Sequence, residues 1–103
     1  MIFGIGNDII ETERIRAAIE RHPNFLSRTF SNAEQHYCLR HREPHRHFAG
    51  RFAAKEAVVK ALGTGFRNGI GFLDVEILND PNGKPYVNPS PRLEEFMKGM
   101  ELL

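Results

Sequence analysis

The sequence predicts an α+β fold in which a small antiparallel sheet packs on a long helix. Three features carry this prediction. Residues 48–62 are rich in alanine, free of proline and closed by Gly63-Thr64-Gly65, the strongest helical signal in the chain. Residues 72–78 alternate, with Leu73, Val75 and Ile77 on one side and Phe72, Asp74, Glu76 and Leu78 on the other. The dense turn signal Asn79-Asp80-Pro81-Asn82-Gly83 then leads into residues 84–87, which return as the second strand of a hairpin.

The remaining elements follow in order. Residues 2–10 read as a strand, because Ile2, Phe3, Ile5, Ile9 and Ile10 supply β-branched and aromatic bulk. Gly4 and Gly6 within it suggest close approach by another group. Residues 11–22 read as a helix with Thr12 as a candidate N-cap, an apolar stripe of Ile15, Ala18 and Ile19, and a stop at Pro23-Asn24. Arg14, Arg16 and Arg21 lie off that stripe. Ser31 with Glu34 three residues later fits a capping box, which starts a second helix running to about Leu39. The charged stretch 40–47 contains Pro44 and reads as a loop. Ser90-Pro91 opens a last helix that runs to about Met100.

A chain of 103 residues supports one domain, here expected over residues 1–103. Such a domain buries only about 60–70% of its unfolded surface, so a shallow site, or one shared between subunits, is the economical expectation. The 14 Lys+Arg against 13 Asp+Glu give a formal charge of +1, which argues against a general nucleic-acid binder. The basic residues are unevenly spread: Arg40, Arg42, Arg46, Arg51, Lys55 and Lys60 face only Glu43 and Glu56 within residues 40–60. Cys38, the single cysteine, can form neither an internal disulfide nor a cysteine metal cluster. No signal peptide is recognisable and no apolar run approaches the ~18 residues a membrane helix needs. A reduced, cytoplasmic, soluble domain is expected.

Two carboxylates stand out. Phe52, Glu56 and Lys60 fall in one sector of the central helix, and Ala54, Ala57, Val58 and Ala61 cover the other side, small enough to pack closely on a sheet. Glu56 and Lys60 could be an ordinary surface ion pair, worth about 0.3–0.5 kcal/mol. Lys60, however, lies one turn before Gly63-Thr64-Gly65, where backbone amides can approach a bound group closely. A helix C-terminus repels phosphate, so a phosphate placed there would need a lysine nearby. Asp8 interrupts an apolar strand; it is either a strand-end residue facing water or a buried carboxylate that needs a partner, a metal or a proton. A hard cation such as magnesium takes one or two carboxylates and completes its octahedron with water and phosphate oxygens. Asp8 and Glu56 would supply that minimum.

The motifs Gly4-Ile5-Gly6-Asn7-Asp8-Ile9 and Phe48-Ala49-Gly50-Arg51-Phe52-Ala53-Ala54-Lys55-Glu56-Ala57, with Lys60-Ala61-Leu62-Gly63-Thr64-Gly65 after them, resemble the signatures of the holo-acyl-carrier-protein synthases. These belong to the 4′-phosphopantetheinyl transferases. Asp74-Val75-Glu76-Ile77 and Gly83-Lys84-Pro85 resemble the family's later hairpin. The resemblance implies magnesium-dependent transfer of 4′-phosphopantetheine from coenzyme A to a serine of acyl carrier protein, in support of fatty-acid biosynthesis. It implies Asp8 and Glu56 as metal ligands, with Glu56 and Lys60 as the catalytic pair and Lys60 beside the transferred phosphate. Arg51, Phe52, Gly63, Thr64 and Gly65 would join Lys60 in contacting the coenzyme. Arg14 and Arg21 would dock the acidic helix of the carrier. The family's assembly implies a homotrimer with sites between subunits.

One departure accompanies this resemblance. The family usually continues past the last helix into a strand with a Ser-Ile-Ser-His-like motif, whereas this chain ends at Glu101-Leu102-Leu103, so it is expected either to be truncated at its C-terminus or to close its sheet differently. A non-catalytic module that binds coenzyme A or the carrier protein is the alternative reading that this departure motivates. His36, His41, His45 and His47 with Cys38 match no closed zinc module and are expected to be solvated. Phe25, Phe30, Phe66, Phe72 and Phe96 are expected in the core or at subunit contacts, and Asp74 and Glu76 on a strand face that is solvated or at an interface.

Overall fold

Helix α1 spans Ile5–Arg21 in the computed structural model, which describes residues 5–63 and 69–100, without the side chains of residues 5–8. The expected strand at residues 2–10 is therefore corrected for its described part: residues 5–10 are helical. A strand needs a hydrogen-bonding neighbour, and among the described residues the sheet has only two strands, which pair with each other. Ile9 and Ile10 are more than half exposed, so they do not form a buried strand face. Thr12 accordingly lies inside α1 and is not its N-cap. The apolar stripe is as expected: Ile15 is buried and Ile19 packs beside it. α1 ends before Pro23.

A short helix, α2 at Phe25–Thr29, follows where no element was expected. Five residues are too few for periodicity to register. Helix α3, Asn32–Leu39, begins on the expected capping box: Ser31 Oγ accepts the Glu34 N–H at 3.2 Å, and Glu34 Oε1 accepts the Ser31 N–H at 2.8 Å. Such a cap contributes about 1 kcal/mol.

Helix α4 covers Pro44–Ala61, four residues more at its start than expected. Pro44 occupies the first turn, where a missing N–H costs nothing, so the charged stretch is partly helix and not wholly loop. The inward side of α4 also differs from expectation. Phe48, Arg51, Lys55 and Val59 are buried, whereas Ala57 and Ala61 are exposed. Ala54 and Val58 do pack against the sheet side.

A 3-10 turn at Phe72–Asp74 precedes strand β1, Val75–Asn79. The strand thus starts three residues later than the alternation suggested, because the Asp74 carboxylate caps the turn by accepting the Gly71 N–H at 2.8 Å. Asp74 also accepts the Ser90 hydroxyl at 2.6 Å, a structural role and not a solvated one. β1 pairs antiparallel with β2, Pro85–Pro89, in the register Ile77↔Val87. Gly83 adopts φ +84 in the connecting turn, a conformation that glycine takes without strain. Helix α5, Pro91–Gly99, starts on Ser90, whose hydroxyl accepts the Leu93 N–H at 3.0 Å.

Two apolar clusters meet along α4. Its first half contributes Phe48 and Ala49 to a cluster with Ile15, Phe30 and Cys38. Its second half contributes Val59 to a cluster with Leu62, Ile70, Val75, Ile77 and Leu93. Each fully buried aliphatic or aromatic side chain stabilises the fold by about 1.5–3 kcal/mol. The α+β expectation of a small antiparallel sheet on a long helix holds.

Candidate functional site

Glu56 and Lys60 sit on the last turns of α4, beside but not in its buried face. Glu56 is half-buried and Lys60 exposed. They form no ion pair with each other, and Glu56 has no hydrogen-bond or ion-pair partner among the described residues. A half-buried carboxylate with open oxygens suits a hard cation. Gly63 follows with φ +74, and its N–H donates to the Lys60 carbonyl at 2.9 Å. This left-handed glycine ends the helix below Lys60. Thr64 and Gly65 lie outside the described residues.

Asp8 has its backbone near the start of α1, and its side chain lies outside the description. α1 packs along α4, and the linings of their grooves give the direction. Thr12 and Arg16 face Arg42 to Arg46. Glu11 and Thr12 face Arg46, Ala49, Gly50 and Ala53. Earlier positions of α1 thus meet later positions of α4.

Arg51 is buried at one wall of a cleft of about 430 Å³ between α3, α4 and the hairpin. Its guanidinium lies 4.2 Å above the Tyr37 ring, and a terminal nitrogen donates to Asn79 Oδ1. Its Nε is buried without a hydrogen-bond partner. Arg40, Asp80 and Tyr86 complete the polar lining. Phe52, by contrast, packs inward between Phe25 and Phe72, with ring centroids at 6.0 and 5.1 Å. Arg51 and Phe52 are therefore not brought together. On α1, Arg14 is exposed and paired with Glu11 at 2.8 Å, and Arg21 is exposed in the last turn. Spaced by seven residues, nearly two turns, they share one face.

The sequence reading missed the most buried polar feature. Lys55 and Glu34 are both fully buried, with Nζ 2.7 Å from Oε1. Lys55 also donates to the carbonyls of Thr29 at 2.9 Å and Phe72 at 2.7 Å, so all three of its protons are used. Glu34 Oε2 accepts the Ile77 N–H at 2.9 Å. Burial draws the Lys55 ammonium below the ordinary lysine range, and Glu34 opposes that shift. No local signal in the sequence marks Lys55 as inward, because its acceptors lie on other elements.

The histidines expected to be solvated are in part packed. His41 and His47 stack at 3.7 Å, and a His41 ring nitrogen lies 2.7 Å from the Tyr37 carbonyl. Burial first, and then the neighbouring His41, draws the His47 imidazole below its ordinary range. Among the described residues, no three His, Cys, Asp or Glu side chains are grouped to hold a metal ion. No helix among them is long and apolar enough to cross a membrane.

The fold and these motifs define the class of protein. The family model described as the 4′-phosphopantetheinyl transferase superfamily matches residues 4–99, and the chain belongs to that superfamily. Its relatives within it are holo-[acyl-carrier-protein] synthases. The chain is 62% identical to that of Protochlamydia amoebophila over 100% of its own length and 85% of the relative's. It is 53% identical to one from Clostridium botulinum strain Alaska E43, over 90% of its own length and 75% of that protein's. The crystal structure of the holo-[acyl-carrier-protein] synthase from Neisseria meningitidis is similar with a TM-score of 0.75 at 32% identity, covering 87% of this chain and 73% of that one.

Proposed function

We infer that the chain transfers 4′-phosphopantetheine from coenzyme A to a serine of an apo acyl carrier protein, the step that readies a carrier for fatty-acid synthesis. The observation that carries this is the 62% identity, over the whole chain, to a holo-[acyl-carrier-protein] synthase. In the transfer, the serine oxygen gives up its proton to water and forms a bond to the β-phosphorus of coenzyme A, the pyrophosphate P–O bond breaks, and 3′,5′-adenosine diphosphate leaves with the bonding pair.

Asp8 and Glu56 are the residues we assign to a magnesium ion. Support comes from the open Glu56 carboxylate and from the antiparallel run of α1 against α4, which carries the Asp8 backbone toward the turn of α4 that follows Ala53. When bound, magnesium neutralises charge on the pyrophosphate oxygens. Lys60, exposed and without an ion-pair partner among the described residues, is suited to set its ammonium against the transferred phosphate. Arg51 is suited to the coenzyme's nucleotide end: it lines a polar cleft together with Tyr37 and Asn79, the two residues its guanidinium contacts. We assign Arg14 and Arg21 to the acidic carrier.

A homotrimer with sites between subunits fits the exposed hairpin, where Tyr86 and Val87 leave apolar surface uncovered on β2. A cytoplasmic location fits the single, buried, unpaired Cys38.

The test is incubation with coenzyme A, magnesium and an apo carrier protein, followed by intact-mass measurement. A phosphopantetheine mass gain on the carrier is expected, and Glu56→Gln should abolish it. Coenzyme binding with no gain on any apo carrier would refute the transfer.

A further inference from the structure

α4 must present Glu56 and Lys60 in a fixed direction, and the apolar side chains near its middle, Phe52, Ala54 and Val58, are packed but only partly buried. Between Ala49 and Val59 the buried residues of the helix are Arg51 and Lys55. Ala53 and Ala57 are not buried, and Phe52 and Ala54 are only half-buried. Apolar burial is non-directional, so this partial packing sets the direction of the helix less sharply than hydrogen bonds do. The hydrogen bonds of Lys55 do not. They end on three separate elements: the Thr29 carbonyl of α2, the Glu34 carboxylate of α3 and the Phe72 carbonyl of the 3-10 turn.

A side-chain tip about 5–6 Å from a helix axis moves ~2 Å when the helix turns by about 20°. That displacement would break bonds that need N···O distances near 2.9 Å. Glu56 directly follows Lys55, so the same turn would swing its carboxylate by a similar amount. Glu34 extends the lock, because it also holds the Ser31 N–H at the start of α3 and the Ile77 N–H of β1.

We propose that Lys55 and Glu34 are the positioning pair of the transfer site, fixing the rotation of α4 so that Glu56 and Lys60 face the phosphates. The proposal rests on the function inferred above. Neither residue touches substrate, since both are wholly buried.

Lys55→Met, Glu34→Gln and the double variant test it, each assayed well below its own melting temperature and normalised to folded protein. The kcat should fall about 100-fold, as for an ångström-scale misplacement of reacting groups. The magnesium concentration for half-maximal rate should rise about 10-fold, with the KM of the carrier unchanged. Binding of Mn2+, followed without turnover by the electron paramagnetic resonance of the free ion, should weaken by a similar factor. A folded variant with wild-type kcat and wild-type Mn2+ affinity overturns the proposal. So does failure of every variant to fold even in the cold, which would assign the pair to the fold alone. Glu56→Gln is run alongside: if it leaves transfer and Mn2+ binding intact, the metal assignment itself has failed, and this proposal with it.

Discussion

Lys55 Nζ lies 2.7 Å from Glu34 Oε1, and neither side chain has any surface open to solvent. The pair joins the two apolar clusters. Nζ sits 5.6 Å from the Phe30 ring centroid in one, and Glu34 accepts the Ile77 N–H in the other. Removing one member leaves the other as an uncompensated buried charge. Lys55→Met should therefore cost about 3–5 kcal/mol of stability. Adding Glu34→Gln should restore part of that loss, because the stranded carboxylate is gone. Urea melts of the single and double variants measure both effects; a double variant no more stable than Lys55→Met alone would contradict this account.

Ser31 ties this centre to the hairpin. Its hydroxyl accepts the Glu34 N–H, and the same side chain is the first cause holding the Glu76 carboxyl below its ordinary 4.5. Burial opposes that shift, and Asn88 and Lys55 assist it. A carboxyl with a lowered folded pKa contributes stability above its unfolded value and loses it as pH falls through the folded value. Stability should thus decline below pH 4.5 in part through Glu76. Ser31→Ala should cost about 1 kcal/mol at neutral pH through the lost cap. It should also flatten the acid decline, as thermal melts from neutral pH to below about pH 4 will show. An unchanged acid slope would remove Ser31 from the control of Glu76.

Cys38 behaves oppositely. Burial raises its thiol from 9.0 to about 11, with Arg51 pulling the other way. A raised folded pKa means that its contribution to stability is intact below pH 9.0 and is lost as pH climbs toward about 11. Alkylation needs the thiolate and access to it. Native protein at about pH 8 should therefore react with iodoacetamide far more slowly than urea-unfolded protein, by mass spectrometry. Equal rates in the two states would mean that Cys38 is open.

What was legible in the sequence had local causes. Ser31 and Glu34 are three residues apart and cap one helix between them. The 79–83 turn closes on its own atoms, with Asp80 Oδ1 accepting the Asn82 and Lys84 N–H groups. Gly63 and Ser90 mark helix ends by backbone chemistry alone. Lys55 was not legible, since two of its acceptors are carbonyls 26 and 17 residues away in sequence. Its inward position depends on how three other elements converge. Pro44 was legible in principle, but its charged neighbours suggested loop where its fixed φ favours a first helical turn. In the candidate site, helical spacing singled out Glu56 and Lys60, and the family resemblance added Arg51. The inward packing of Phe52 follows from tertiary contact with Phe25 and Phe72.

The carrier-docking assignment makes the last prediction. Arg14 and Arg21 share one exposed face of α1, and among the described residues Arg14 is held by a solvent-exposed pair with Glu11 alone. Such pairs contribute about 0–1 kcal/mol, so Arg14→Glu should barely change stability. Arg21 is in the last turn, where a cation favours the helix dipole by about 0.3–1 kcal/mol. Arg21→Glu therefore needs Arg21→Gln beside it, to separate a frayed helix end from reversed charge. Exposed charges steer encounter and are screened by salt. Each reversal should raise the carrier KM by roughly 10-fold at low ionic strength, mainly through a slower on-rate. The KM for coenzyme A should stay constant, and the difference from wild type should shrink as salt is added. Stopped-flow association with an acidic carrier protein across an ionic-strength series, with steady-state KM values for both substrates, reads these effects. A carrier on-rate insensitive to both reversals and to salt would place the docking surface on another face of the molecule.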